Sequence, residues 1–465
     1  MQIIPWFTRA EDALPVLRVT FPALQLNDKE YIFGQMSLQD TDGNITELSA
    51  KFRIRGATAK SYAMKPSFNM KLREPDDTEI DANLLGLREC SSYILDAMAI
   101  DRICMRNRVS FDIWNAYSRL PYDSDFESRN GTVGAFVELY MNDVYKGIYC
   151  LTDRINRKLL DLKKQQVDEQ SGAATIHGAL YKHGTLDILN QDNVGMYNDG
   201  EVYVVEWHDA WELKEPEDYL CLEAWLPLLD FYDNADDYEY ISSHFYLENI
   251  VDYTLLIMGL SISDNWGNKN KYLSIRDMAG TRDKTRLVVT PWDLDTAFGG
   301  HYKGEWYDGN YLNWDIEDIV KNAPKPFSTC LQQDKFKSLL RNKWLQLRER
   351  VFNVNSVNQR LYDYCDLFER TGAWKRQCDY WSKQEDPPEL VYDLRAEIDQ
   401  IAKWYENRFK QMDEYFAVTP EDTGISVIKT TEEDIPATIY NMQGIPVSNP
   451  TAPGVYISKG KKIII

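Results

Sequence analysis

The chain has 465 residues, with 52 Lys and Arg against 73 Asp and Glu, a formal net charge of −21, and 44% of it is hydrophobic. That apolar content supplies a large core and excludes a disordered chain. The acidic balance, without a long basic run, excludes nucleic acid or an anionic membrane surface as partner, and the lack of about 18 uninterrupted apolar residues predicts no transmembrane segment.

Along the chain, LPVLRVTF (14–21), KFRIRG (51–56) and SFNMKL (67–72) have strand composition or alternation. A polar loop, ATAKSYAMKP, separates the last two, so Lys60, Lys65 and Lys71 fall on or beside a hairpin. Arg106 lies on a helix expected at about 101–117. FVELYM, then Asn142-Asp143, then VYKGIYCLTD predicts a second hairpin. From about 166 to 416 the pattern turns largely helical, with a buried stripe over Tyr246–Leu260 and further helices at 334–350 and 389–415. Two strands interrupt it, KYLSIR (271–276) and RLVVTPW (286–292). From about 420, short β-branched segments broken by Gly, Pro and Asn predict a small β-module.

The seven cysteines are odd in number and form no C-x-x-C pair, which reads as small buried hydrophobes rather than a disulfide framework or zinc site. The opening MQIIPWFTRAEDALP shows no signal peptide. G-x-S-x-G, H-E-x-x-H, P-loop and G-x-G-x-x-G motifs are all missing, and the five His are not paired at ligand spacing. Chemistry in this chain must rest on carboxylates, amides, Lys and Arg.

One constellation qualifies. ISDNWGNKNKYLSIRD (262–277) leaves the buried helix through poor helix formers and re-enters a strand at Tyr272. The next strand runs into Pro291-Trp292-Asp293-Leu294-Asp295. A helix, polar loop, hairpin and second acidic loop would bring Asp264, Asn270 and Asp293 to one edge. An Asp to accept a hydroxyl proton, with an amide and a second Asp to hold divalent metal, is what phosphoryl transfer requires, and Mg²⁺ takes hard oxygen ligands. Lys60, Lys65 and Lys71, with backbone N–H groups of their loop, are placed to cover a triphosphate.

Five ordered blocks, RGATAKSYAMKPSFNMKL (55–72), IDRICMRNRVSFDIWN (100–115), VELYMNDVYKGIYCLTDRI (137–155), SDNWGNKNKYLSIRD (263–277) and TPWDLDTAFGG (290–300), resemble the CotH kinase family, named for a bacterial spore-coat protein. The resemblance implies an α+β, bilobal, protein-kinase-like fold that uses ATP and Mg²⁺ or Mn²⁺ to phosphorylate Ser or Thr of a protein. By position, Asp264 resembles the catalytic Asp and Asp293 the metal-binding Asp, with Asp295 beside it. Asn270, or Asn268 in its place, resembles the family's Asn ahead of the Y-L strand. Arg55, Lys65 and Lys71 resemble nucleotide-phosphate contacts, and Asp153, the fourth residue that the resemblance offers for nucleotide binding, stands near the hinge where family members often carry Glu. The expected organisation is an N-terminal extension (1–44), a β-rich lobe (45–165), a helical lobe (166–418) and the small β-module (419–465). That module resembles those ending many secreted Bacteroidetes proteins, which implies an extracytoplasmic location. The alternative is a catalytically weak or inactive secreted or surface binding protein on the same fold, and nucleotidyl transfer is a third reading. Net acidity predicts a basic or Ser/Thr-rich protein substrate.

Overall fold

The computed structural model describes residues 13–22, 26–56, 65–122, 124–125, 127–183, 196–198, 203–205, 211–216, 222–266, 270–300, 315–419, 422 and four short strands beyond 438. By contacts it divides into Met1–Phe416 and Ala417–Ile465. The fold is mixed α+β.

Seven strands open the first unit: β1 (Val16–Thr20), β2 (Ile32–Gln39), β3 (Ile45–Arg55), β4 (Ser67–Leu72), β5 (Ser92–Asp96), β6 (Gly134–Met141) and β7 (Val144–Asp153). They close a barrel in the order β1-β2-β3-β4-β5-β7-β6, sealed by parallel pairing of β1 with β6. Alternation sets the two faces. Phe52, Phe68, Met70, Leu72, Tyr93 and Leu95 fill the barrel. Ile94, on the opposite face of β5, joins a second core with Leu159, Leu180, Tyr272 and Trp292 outside the barrel. The same period puts Lys71, Ser92 and Asp96 on the outer wall. The β6–β7 turn forms at Asn142 and Asp143 with φ of 46° and 61°, as its two-residue loop predicts.

Helix α1 (Arg106–Tyr117) starts later than its periodicity suggests. The Asp101 carboxylate accepts the backbone N–H groups of Met105 and Arg106, both at 2.7 Å, so 101–105 form a capping loop.

Two short antiparallel pairs, β8 (Gln166–Val167) with β9 (Ala174–Thr175) and β11 (Met196–Asn198) with β12 (Tyr203–Val205), accompany a second sheet made of β10 (Ala179–His183), β13 (Trp211–Glu215), β14 (Lys271–Ile275) and β15 (Leu287–Pro291) in the order β13-β10-β14-β15. The described residues from 166 to 215 are therefore in strands and loops, where helix was expected. ALYKH is a weak strand by composition, and pairing on both edges, with β13 and β14, decides its state. Behind β15 lies α4 (Leu247–Leu260), buried from Asn249 to its end, with α2 (Leu222–Asp233) and α3 (Tyr238–His244) before it. Asn249 clamps the two elements, donating to Val289 O at 3.0 Å and accepting from Val289 N at 2.6 Å.

After the single turn α5 (Ser263–Trp266) come α6 (Ile316–Lys321), α7 (Phe327–Leu331), α8 (Asp334–Leu347), α9 (Val354–Arg370), α10 (Ala373–Trp381) and α11 (Leu394–Tyr415). Helix α11 begins where Asp393 accepts from Ala396 N at 3.0 Å, five residues beyond the expected start. The second unit carries β16 (Ile439–Asn441), β17 (Pro446–Val447), β18 (Val455–Ser458) and β19 (Lys461–Ile464), an antiparallel sheet in the order β17-β16-β18-β19. No described helix is long and apolar enough to cross a membrane.

Candidate active site

The site forms where α4 and the β14–β15 hairpin shed their loops. Helix α4 stops at Ser261, whose φ of 53° turns the chain, and α5 then presents Asp264. Asn270 enters β14 with φ 58° and Asp293 leaves β15 with φ 59°. Non-glycine residues rarely take such angles, and Asn and Asp bear them best.

Hydrogen bonds fuse the two loops. Asn270 Nδ2 donates to Asp264 Oδ2 at 2.8 Å. The buried Asn265 donates from Nδ2 to both Asn270 O (2.8 Å) and Trp292 O (2.5 Å), and Trp292 N donates to Asn270 O at 3.0 Å. Tyr253, from α4, secures Asn265 O at 2.9 Å.

Asp293 is half-buried in this knot. Burial raises its carboxyl above the usual range, and the negative charges of Asp96 and Asp264 add to that, while Arg55 and Lys182 oppose it. Asp295 is pushed well up by burial, then by Asp293, Asp264 and Asp96. Arg55, the last residue of β3, holds its guanidinium 5.1 Å from the Trp292 ring centroid. A void of about 20 Å³ is lined by Arg55, Asp96, Asn107 and Asp293, enough for one water-sized occupant.

Among the described residues no three His, Cys, Asp or Glu side chains form a ready-made metal cage. A small dication does not need one, since Mg²⁺ is commonly held by one or two carboxylates, waters and substrate phosphates. Crowded, desolvated carboxylates beside a void of ion size are a hard-oxygen donor set that fits such an ion.

Arg55, Asp264, Asn270, Asp293 and Asp295 are thus brought together. The other predicted residues are not. Lys65 is fully buried, donating to Ala97 O (2.8 Å), Ile148 O (2.5 Å) and Gln377 Oε1 (3.0 Å). Lys71 sits toward the far end of β4, 4.8 Å from the Tyr31 ring. Asp153, ending β7, is buried with neither carboxylate oxygen hydrogen-bonded. Burial raises its pKa to about 6 against the pull of Arg88, Arg129 and Arg108. Lys60 and Asn268 lie outside the described residues.

Sequence reasoning missed Asp96, Asn107 and Lys182. Asp96 is legible in retrospect, because S-Y-I-L-D alternation places it opposite the inward Tyr93 and Leu95. Asn107 lies in the α1 block beside Arg106, and nothing local marks it. Lys182 reaches the site only because β10 pairs with β14.

The model of the CotH kinase protein family matches residues 52–412. No curated protein matches the chain.

Proposed function

Because the chain belongs to the CotH kinase family, we propose that it is an ATP- and metal-dependent protein kinase that phosphorylates Ser or Thr. The observation that carries this reading is the Asn270–Asp264 hydrogen bond at 2.8 Å, with Asp293 held against it. In this role Asp264 accepts the proton of the attacking hydroxyl. Asn270 uses its Nδ2 to fix one oxygen of that carboxylate, leaving the other for the substrate. Asp293, with Asp295 and the side-chain oxygen of Asn270, would hold Mg²⁺ or Mn²⁺, which neutralises phosphate charge when bound. Arg55 contributes a fixed cation at the same end, stacked on Trp292 so that its guanidinium is pre-oriented toward phosphate oxygens. A bilobal arrangement is the reading in which the barrel and the second sheet form the two walls of the cleft. An extracytoplasmic location belongs to the same reading and rests on the resemblance of the C-terminal segment to modules that end secreted proteins.

Incubation with γ-labelled ATP, Mg²⁺ and a protein acceptor tests this. Label should appear in the wild type and fall by about 10³-fold in Asp264→Ala. Equal labelling by the two proteins refutes the assignment, and incorporation from α-labelled but not from γ-labelled ATP in a parallel incubation indicates nucleotidyl transfer instead.

A further inference from the structure

Helix α4 ends at Leu260, and Asp264 follows shortly after, past the left-handed Ser261. The last carbonyls of a helix have no partner within it, so the groups that cap them help set where the chain goes next. Two of these carbonyls are capped from far along the chain. Phe298 N, just past Asp295, donates to Leu260 O at 3.0 Å. Arg408 Nε, from α11, donates to Met258 O at 2.6 Å. Helix α11 also reaches the second loop through the Phe298 ring, whose centroid lies 6.3 Å from that of Trp404 and 6.1 Å from that of Tyr405. Nearer its start, Glu397 accepts from Arg102 Nε at 2.8 Å and Nη2 at 2.7 Å, just before the helix that carries Asn107. Glu397, Ile401, Trp404, Tyr405 and Arg408 share the buried face of α11. That one face therefore touches the end of α4, the segment after Asp295 and the approach to α1.

Arg408 is fully buried, and burial lowers its pKa to about 10 against the pull of Asp315. A buried guanidinium is costly, and an apolar residue of similar volume is often as stabilising, so its presence asks for a local reason. The carbonyl end of a helix carries partial negative charge, which a cation holds well. We propose that Arg408 is a positioning residue for Asp264, acting through Met258 O and the last turn of α4. Tyr253 on the same helix holds Asn265 O at 2.9 Å, and Trp266 Nε1 donates to Ile319 O at 2.5 Å, so α5 has little freedom once the end of α4 is fixed. Without Arg408 that turn loosens, and Asp264 shifts relative to Asp293 on the neighbouring loop. A misplacement of about 1 Å at a reacting group can cost about 10²-fold in rate. The effect on rate rests on the kinase reading, whereas the coupling of Arg408 to the two loops does not.

Two readouts on the full chain, taken well below its unfolding transition, test the inference. One is steady-state phosphate transfer from ATP. The other is ¹⁹F NMR of protein labelled with 5-fluorotryptophan, following Trp266 beside Asp264 and Trp292 beside Asp293, each assigned by its Phe variant. Arg408→Met keeps the volume and removes the donor, and Arg408→Gln takes its place should that variant not fold. Either should move both resonances and lower kcat by about 10- to 100-fold, with the KM for ATP within about threefold of wild type. Arg408→Lys, which keeps a cation and a donor at the carbonyl, should return kcat and both resonances most of the way. Asp413→Asn is the control. It weakens the bonds that Asp413 accepts from Trp344 Nε1 and Arg348 Nε, both at 2.8 Å, toward the other end of α11. It should lower stability in urea and leave kcat and the two resonances unchanged. Unmoved resonances in Arg408→Met, or an unchanged kcat where the wild type is active, overturn the proposal. So does an equal loss of kcat in Asp413→Asn, or an Arg408→Lys protein as impaired as Arg408→Met. If the resonances respond as stated but the wild type transfers no phosphate, the coupling stands and the kinase reading falls.

Discussion

Asn107 donates from Nδ2 to Asp96 Oδ2 at 2.9 Å. Its Oδ1 accepts from Leu294 N at 3.0 Å, so one side chain on α1 joins the end of barrel strand β5 to the Asp293–Asp295 loop. Replacing it with Ala removes both bonds. Two neutral-to-charged-strength bonds at a half-buried site are worth about 1–3 kcal/mol together. The larger effect should be on positioning. Asn107→Ala is expected to lower kcat by ~10-fold or more with a smaller change in the KM for the protein acceptor, and Asn107→Asp should not restore it, because a second carboxylate would face Asp96. Steady-state kinetics alongside urea denaturation separates the two effects. A variant with lost stability and unchanged kcat would show Asn107 to be purely structural.

Lys65 and Gln377 form a second bridge, between the loop before β4 and helix α10. Gln377 Oε1 accepts from Lys65 Nζ (3.0 Å) and from Ile148 N (2.7 Å). Burial lowers the pKa of this ammonium, against the opposing pull of Cys104 and Asp96. Lys65→Met leaves the carbonyls of Ala97 and Ile148 without their donor and should destabilise the chain by about 2–4 kcal/mol. Gln377→Leu should act in the same direction. The double variant should cost at least about 1 kcal/mol less than the sum, because the same network is lost only once. Additive losses in a double-mutant cycle would break the link. Nucleotide affinity of Lys65→Met, measured below its transition, should stay within about threefold of wild type if the ammonium serves packing only.

What the sequence showed and concealed follows from the range of the forces involved. SFNMKL was legible because one face of a barrel strand must be apolar, and Asn142-Asp143 because only a few residue types tolerate positive φ. Asp264, Asn270 and Asp293 stood out as polar residues that break helix or strand at defined places. Helix α9 was harder. Its stripe of Val357, Leu361, Cys365 and Phe368 is narrow, and the remaining surface is polar. Lys65 looked like a phosphate contact because a lysine in a loop is normally solvated. Its burial depends on carbonyls at positions 97 and 148 and an amide at 377, all remote in sequence. Asp96 and Lys182 enter the site for the same reason, through strand pairings that no local pattern encodes.

Asp153 offers a pH test. Its carboxyl is raised to about 6 from an ordinary value of 3.8, chiefly by burial. Between those values the folded chain holds a proton that the unfolded chain has released, so stability falls as pH rises from about 4 to about 6 and stays lower above it. A shift of this size corresponds to at most about 3 kcal/mol. Asp153→Asn abolishes the titration. Its stability relative to wild type should therefore be near parity at pH 4.5 and improve toward pH 7.5, measured by urea denaturation at each pH. A gap that does not change with pH would mean that Arg88, Arg129 and Arg108 offset the burial fully. If Asp153 instead contacts nucleotide, the same variant will reduce the thermal shift produced by ATP and metal.

The final prediction concerns the conflict between stability and function at Asp293 and Asp295. Two desolvated carboxylates beside Asp96 and Asp264 repel one another, and Arg55 and Lys182 relieve Asp293 only in part. Such crowding is tolerable where a dication is to be held and unfavourable where none is. In chelator, Asp293→Asn should therefore be more stable than wild type, by about 1–2 kcal/mol. Addition of Mg²⁺ and ATP should reverse the order. Wild type should gain stability as RT ln(1 + [L]/Kd), while the variant gains little because it has lost a hard anionic ligand. Arg55→Gln should show the complementary pattern, with lower stability in chelator, since Asp293 loses its cation, and a weaker response to ATP at fixed Mg²⁺. Thermal unfolding of the three proteins with chelator, Mg²⁺ alone and Mg²⁺ with ATP resolves these effects. If Asp293→Asn is destabilising in chelator and responds fully to Mg²⁺ and ATP, Asp293 is a structural acid and the metal must be held elsewhere.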